Sequence, residues 1–331
     1  MTCKKLLFSL GLAILFIFSM YSCENNEPVE IEDVPFETVN GFVINRQGEK
    51  FLATDKGLYS FNQKTGIYEV VKSKIQLSPL HDLSYSKKQP VNELWLASNN
   101  GVLNNAAQQQ LTSANSGLKN DVVNLLDFDF KNRGIFANPK GLSILDNNKW
   151  IESKGLNDIY LKFQITDIAS ASNGFTYVTT KGGGVERFEM DVDGISGATI
   201  FDTDWSKLQS NNINTVFIDS ITQVYGTDAG VAMHFSEFTK WDWETYSKND
   251  GLINDTVIAV VKDGSKNWWF GTKHGLSRFD NSKWTSYSVK THNLLSNNIK
   301  FLAVDIDGTV WVASDEGLSH FINGQWINYS K

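Results

Sequence analysis

The chain has little of the two residues that most often staple or stiffen a protein. It carries 2 cysteines and 5 prolines in 331 residues. The cysteines are Cys3 and Cys23, so nothing after Cys23 can be held by a disulfide, and stability there must come from packing. Positive charge is also short: 30 Lys and Arg against 37 Asp and Glu give a net charge of −7. No basic stripe offsets this, which excludes nucleic acid as a partner. None of the 5 histidines forms a metal-ligand spacing such as His-x-x-x-His. There is no Gly-x-Ser-x-Gly elbow, no Walker loop and no dinucleotide fingerprint, so neither a metal nor another cofactor is expected. Aromatic residues, in contrast, are plentiful, with 10 Trp and 21 Phe, and a hydrophobic content of 41% suffices for a large core.

The first residues have the composition of an export signal. Lys4 and Lys5 precede an uncharged, mostly apolar run from Leu6 to Met20. That run is short of the ~20 residues a membrane helix needs and suits a signal-peptide core. Ser22-Cys23 at its end resembles a bacterial lipoprotein signal, in which cleavage precedes the cysteine and its thiol carries lipid. The sequence therefore predicts a signal peptide over residues 1–22, a lipid-bearing Cys23 with a polar tether over 23–36, and a folded domain over 37–331. Loss of Lys4 and Lys5, with no acid lost, takes the charge from −7 to −9.

The domain is a repeat. Its marker is a glycine after a short apolar strand, at Gly57, Gly101, Gly141, Gly184, Gly230, Gly275 and Gly317. Spacings of 40 to 46 residues, with several strand-like segments in each unit, predict an all-β, seven-bladed β-propeller of four-stranded antiparallel blades. The strand before the glycine pairs a bulky residue with a small one two positions on, as in Trp269-Phe270-Gly271-Thr272 or Trp95-Leu96-Ala97-Ser98. Both point to one face of the strand, so neighbouring sheets can interdigitate there. The glycine itself is expected to take positive φ in the turn. The third strand follows it, and an outer strand often carries an aromatic pair: Trp243 with Tyr246, Trp284 with Tyr287, Trp326 with Tyr329. Repeat two has only Gln108 to Thr112 at that place and should have the weakest outer strand. Linkers such as Gly251-Leu252-Ile253-Asn254-Asp255 lead into the next unit, and Asp-Gly turns at Asp263-Gly264 and Asp307-Gly308 join its first two strands. Ring closure is open at this stage: face packing alone, or a strand drawn from Val29 to Phe36.

The phrase Leu-x-x-Asn-x-Ile, then Asp-x-x-Gly, then Trp-x-Gly-Thr-x-x-Gly-Leu-x-x-Phe resembles the two-component-regulator propeller repeat. The resemblance covers residues 41–331 and is strongest in repeats five to seven. That family builds periplasmic sensor domains of Bacteroidetes hybrid two-component systems, with two propellers, a β-sandwich, a membrane helix and a kinase. Here there is one propeller and a lipid signal, so kinase signalling does not follow from the resemblance. It implies carbohydrate sensing or capture by an outer-membrane lipoprotein, facing the periplasm or the outside.

In such a blade the turns around the marker glycines share one face with the inter-blade linkers. The ligand-binding candidates are the polar residues of those turns: Asp55, Lys56, Lys140, Lys181, Asp228, Lys273, His274, Asp315 and Glu316. No catalytic residue is nominated. The pairs Asp127/Asp129, Asp191/Asp193, Asp202/Asp204 and Asp305/Asp307 could serve glycoside hydrolysis only if they flanked a cleft; for Asp305/Asp307 hairpin chemistry accounts better. His234 and His320 lie on third strands and are expected to be structural. Trp205 and Trp241 fall outside the repeat pattern and are candidates for exposed sugar platforms. The sequence thus predicts a non-enzymatic binding or sensing protein for an oligosaccharide or a protein partner, attached to the membrane by its lipid alone. The alternative is a propeller-fold glycosidase or polysaccharide lyase. Repeat four, the longest, is expected to carry a loop at Glu189 to Thr203 between its third and fourth strands.

Overall fold

The computed structural model describes residues 35–331 except 76, 88–92, 152–161, 192–193, 220–221 and 238–239, together with two short strands near the start. Those two strands, Lys4–Lys5 and Tyr21–Ser22, pair antiparallel within a separate leading unit that ends at Pro35. The rest of the signal segment, Cys23 and the tether up to Val34 lie outside the described residues.

Seven four-stranded antiparallel sheets follow, each built from four consecutive strands named A to D from the inside outwards. Blade 1 runs Val39–Ile44, Lys50–Thr54, Gly57–Asn62 and Ile67–Val70. Blade 6 runs Val257–Lys262, Trp268–Thr272, Gly275–Phe279 and Trp284–Tyr287. Blade 7 runs Phe301–Val304, Val310–Ser314, Gly317–Ile322 and Gln325–Ser330. The marker glycines open strand C in six blades and immediately precede it in blade 4, and all seven have positive φ. At Gly230, Gly275 and Gly317 a second constraint applies: a Cβ would lie 2.2 to 2.5 Å from the carbonyl oxygen of Tyr246, Tyr287 or Tyr329 in strand D. The glycine therefore both turns the hairpin and lets the outer strand close over it.

The small residue on strand B has an equally direct cause. A Cβ on Gly271 would meet Ile299 Cγ2 at 2.7 Å, and one on Gly226 would meet Val257 Cγ1 at 2.9 Å. Ile299 and Val257 introduce strand A of the next blade, and both are fully buried. Each blade thus leaves a socket for the first apolar residue of its successor, and seven such junctions form the core clusters between sheets.

Ring closure is face packing. Blades 1 and 7 are each complete without borrowing a strand. Phe36, Tyr59, Phe61 and Tyr68 of the first side interlock with Trp311 and Tyr329 of the last. The Tyr68 hydroxyl donates to the Tyr329 carbonyl (2.7 Å) and accepts from the Leu318 amide (2.9 Å). Beneath them Lys50 Nζ meets Asp305 Oδ2 at 2.6 Å, with both side chains under a tenth exposed. The same ammonium lies 4.6 Å above the Trp311 ring.

One expectation changes. The segment after Glu189 is no loop: strands C and D of blade 4, Val185–Asp191 and Gly194–Phe201, extend into one long hairpin with a register shift at Arg187/Glu189. Alternating Met190, Ile195 and Phe188 bury one face of it, which sustains the ladder. The outer strand of blade 2, Gln109–Leu111, is short as expected; that of blade 3 is described over Lys149–Ile151. His234 and His320 are structural, as expected: each is buried and stacked on a tryptophan, Trp243 and Trp311 respectively. Desolvation holds both imidazoles below their usual pKa, His234 at about 4.

Candidate functional site

Strand A runs Leu80–Tyr85 in blade 2, Leu125–Phe128 in blade 3, Ile165–Ser170 in blade 4 and Ile213–Asp219 in blade 5. At its start it carries a one-residue bulge in blades 1, 2, 4, 5 and 6. In blades 3 and 7 the equivalent residues, Asn124 and Lys300, give their amides to the same strand-B position, at Ala137 and Ala313. A bulge leaves one side chain out of the ladder and re-aims it. Here those side chains reach the next blade. Asn40 donates to the Leu80 carbonyl (2.8 Å), His81 Nδ1 to that of Val123 (2.9 Å) and Thr166 to that of Ile213 (2.7 Å). Asn214 continues to Val257 (3.0 Å), and Lys300 Nζ lies 3.3 Å from the Val39 carbonyl, which carries the belt across the seam. Among the described residues the belt is broken twice: Asn124 of blade 3 is exposed and sends no side-chain bond to blade 4, and Ile258 of blade 6 has no polar group to offer.

Ile258 lines a cavity of about 630 Å³. Its walls come from blades 1, 2, 6 and 7, so it lies at the axis: Asn40, His81, Ile258, Lys273, Lys300 and Asp315 among them, with Phe301 and Val39 as apolar surface. The volume is that of an ordinary small-molecule site. Asp315 Oδ1 accepts from the Val39 amide (3.0 Å) and from Lys300 Nζ (2.8 Å).

The nominated turn residues divide by position. The second residue of each turn gives its amide to the Ser, Thr or Asn that ends strand B. Lys56, Lys140, His274 and Glu316 are such residues, and none lines the axial cavity. Four of the first residues, Lys181, Asp228, Lys273 and Asp315, reach the bulge ring or the cavity beside it. Lys273 and Asp315 line the cavity. Lys181 meets Asp228 at 3.2 Å and also the Asn214 side chain, which in turn donates to Asp228 (2.9 Å). Burial pushes the Asp228 carboxyl up, but the bonds from Asn214 and Lys181 outweigh it and hold it below the usual range. Asp55 is opposed in the same way, by burial against the Thr38 and Glu37 amides at 2.8 and 2.9 Å, and also ends low.

The paired acids are structural in the turns that can be followed. Asp305 and Asp307 cap the Asp-x-Asp-Gly hairpin, Asp307 accepting from the Thr309 amide (2.9 Å). Asp202 accepts from the amides of Asp204 and Trp205, both at 3.0 Å. Asp129 is locked to Arg133 at 2.6 Å. Its companion Asp127 instead belongs to a group that sequence reasoning missed. Asp82, Asp127 and Asp167 lie on strands A of blades 2, 3 and 4, partly reached by solvent yet hemmed in by protein. Asp82 Oδ2 accepts from the Leu126 amide and Asp167 Oδ2 from the Val216 amide, each at 2.9 Å, tying one inner strand to the next. Desolvation pushes Asp82 up to about 8 and Asp167 to about 6, against those amide bonds, and raises Asp127 as well. Trp205 is 85% exposed on a linker after blade 4; the Trp241 side chain lies outside the described residues.

No family model and no curated protein matches the chain. Solved structures do. One is the extracellular domain of a hybrid two-component system from B. thetaiotaomicron, at TM-score 0.70 and 20% identity. The chain shares its fold with that domain. The match takes in 87% of this chain and 39% of that one, so the propeller corresponds to less than half of its neighbour. PorZ, a surface component of the type-IX secretion system of Porphyromonas gingivalis, matches at 0.59 and 13% identity over 90% of this chain and 38% of its own. A streptogramin B lyase matches at 0.61 and 13% identity, over 86% and 93%. One propeller fold therefore carries all three.

Proposed function

We propose that this chain is a non-enzymatic binding or sensing protein of the bacterial cell envelope, which takes an oligosaccharide at the axial cavity. The cavity carries the proposal: four blades build one site of ligand size, with aromatic and aliphatic surface beside polar side chains already fixed by the bulge belt. A rigid disc spends little ordering entropy on binding. Among the described residues the walls hold one carboxylate, Asp315, engaged by Lys300 and the Val39 amide, whereas hydrolysis by paired carboxylates requires two. The envelope location is supported by the signal-like start and by the extracellular setting of the two-component neighbour. Within this proposal Cys23 carries the lipid that holds the propeller at the outer membrane.

A glycan array with a reducing-end assay on every hit tests the function. Retention of a glycan without new reducing ends is the expected result. Turnover would replace it with the glycosidase or lyase reading, and absence of any glycan binding would leave a protein partner. Metabolic labelling with a palmitate analogue tests the anchor: label should appear on the parent and vanish in Cys23→Ser.

A further inference from the structure

We infer that the ligand of the axial cavity bears a carboxylate, as a uronic-acid unit of an oligosaccharide does. The inference rests on the saccharide reading above and deepens it. The molecule as a whole is acidic, with a net charge of −7, yet its axial cavity is lined by Lys273 and Lys300 against only Asp315. The three charges are not equivalent. Asp315 Oδ1 is taken up by Lys300 (2.8 Å) and by the backbone amide of Val39 (3.0 Å), so this acid serves the ring junction. Lys300 spends two of its three N–H donors on Asp315 and the Val39 carbonyl, and one remains. Lys273 makes no ion pair among the described residues, and it stands at the turn position where the other blades place partnered groups, as Lys181 and Asp228 show.

His81 adds a directional element. Its Nδ1 is committed to the Val123 carbonyl, which leaves Nε2 as the ring nitrogen open to a ligand. Ile258 and Phe301 supply apolar surface for the C–H face of a sugar ring. A free ammonium at the rim, a second one half used and an apolar wall between them match a sugar with one anionic edge. A neutral sugar would give the exposed Lys273 no opposite charge to meet, and a flat hydrophobic ligand would strip water from that ammonium with nothing in exchange.

Calorimetric titration of the full chain tests this with digalacturonate, a mannuronate dimer and a chondroitin disaccharide as uronates. The dimethyl ester of digalacturonate keeps the shape without the charge, and tartrate offers carboxylates without a sugar. At least one uronate should bind, with affinity falling as salt rises. For digalacturonate the ester should bind at least tenfold more weakly. Lys273→Gln should cost about tenfold with an unchanged melting temperature, as expected for one charge-assisted contact. Asp315→Asn, which keeps an acceptor for the Val39 amide, should tighten uronate binding severalfold by removing the opposing charge. Failure of all three uronates overturns the inference. So does equal binding of acid and ester, or a Lys273→Gln affinity within twofold of the parent. If neutral sugars bind equally well, the saccharide reading stands and only the charge inference falls. If tartrate equals the best uronate, the site belongs to free carboxylates and the sugar assignment falls.

Discussion

Replacing Lys50 with methionine would show whether the ring is held shut by a buried charge pair. Lys50 and Asp305 meet at 2.6 Å across the junction of blades 1 and 7, and their side chains are 4% and 8% exposed. Methionine retains most of the stem and its packing against Trp311, so the substitution removes chiefly the charge. Asp305 would keep its bond from Trp311 Nε1 (3.1 Å) and lose its only ion-pair partner among the described residues. A buried carboxylate stripped of its counter-ion costs about 3–5 kcal/mol. Asp305→Asn leaves Lys50 with the Gly48 carbonyl (2.8 Å) and Gln63 (3.3 Å), and should cost about as much. The double variant buries neither charge, so it should be more stable than either single one, with a coupling of about 2 kcal/mol or more. The assay is urea unfolding followed by tryptophan fluorescence and circular dichroism together, whose coincidence checks that a single transition is being measured. The Lys181–Asp228 pair is the control, because its side chains are 39% and 36% exposed and solvent screens it. Lys181→Met should cost less than ~1 kcal/mol. If Lys50→Met unfolds within ~0.5 kcal/mol of the parent, or if the two substitutions simply add, the pair does not hold the seam and the aromatic interlock alone does.

Three further outcomes follow from the same geometry. Asp82 keeps its proton in the folded protein up to a pH of about 8, whereas in the unfolded chain it loses it near ~4. The folded state then binds the extra proton, so this contribution is full below ~4 and fades as pH rises through about 8. The melting temperature should therefore fall between pH 5 and 8.5, and Asp82→Asn should flatten that fall; parallel slopes would refute the assignment. Gly275→Ala forces φ +127° on a residue with a Cβ, set 2.5 Å from the Tyr287 carbonyl. It should cost about 2–3 kcal/mol by thermal unfolding, against ~1 for Gly324→Ala, which meets nothing within 4 Å. Trp205→Ala should leave stability within ~0.5 kcal/mol, since that ring is exposed, and a larger loss would mean that it packs.

The features that were legible in the sequence are those each blade repeats. A positive-φ turn, a socket for the next blade and an aromatic outer strand each need the same residue type at the same place. That is why Gly275, Gly271 and Trp284 could be assigned roles before any coordinates. The bulge belt obeys a different rule. Asn40, His81, Thr166, Asn214 and Lys300 share a position but not a chemistry beyond being able to donate, so no motif marks them. Their acceptors belong to the neighbouring blade and are set by a one-residue register shift that periodicity cannot detect. Asp82 and Asp167 escaped for a related reason: they occur in blades 2 and 4 but are replaced by Gly41, Leu125, Thr215, Ala259 and Phe301 elsewhere. The cavity includes a departure from the rule, the apolar Ile258 at a position where five blades place a donor. The turn residues were nominated as one set because they share a loop, yet of the nine only Lys273 and Asp315, both at the first position of their turns, line the axial cavity.

Because no sheet shares a strand with its neighbour, the junction between blades 7 and 1 is one of seven of the same kind. Lys331 Nζ already lies 3.1 Å from the Glu37 carbonyl, so a short splice could join residue 331 to residue 36. Cutting such a circle in any linker, between blades 4 and 5 for instance, would leave every sheet intact and turn the present seam into an interior joint. The order in which the blades are written along the chain is thus separable from the disc they build.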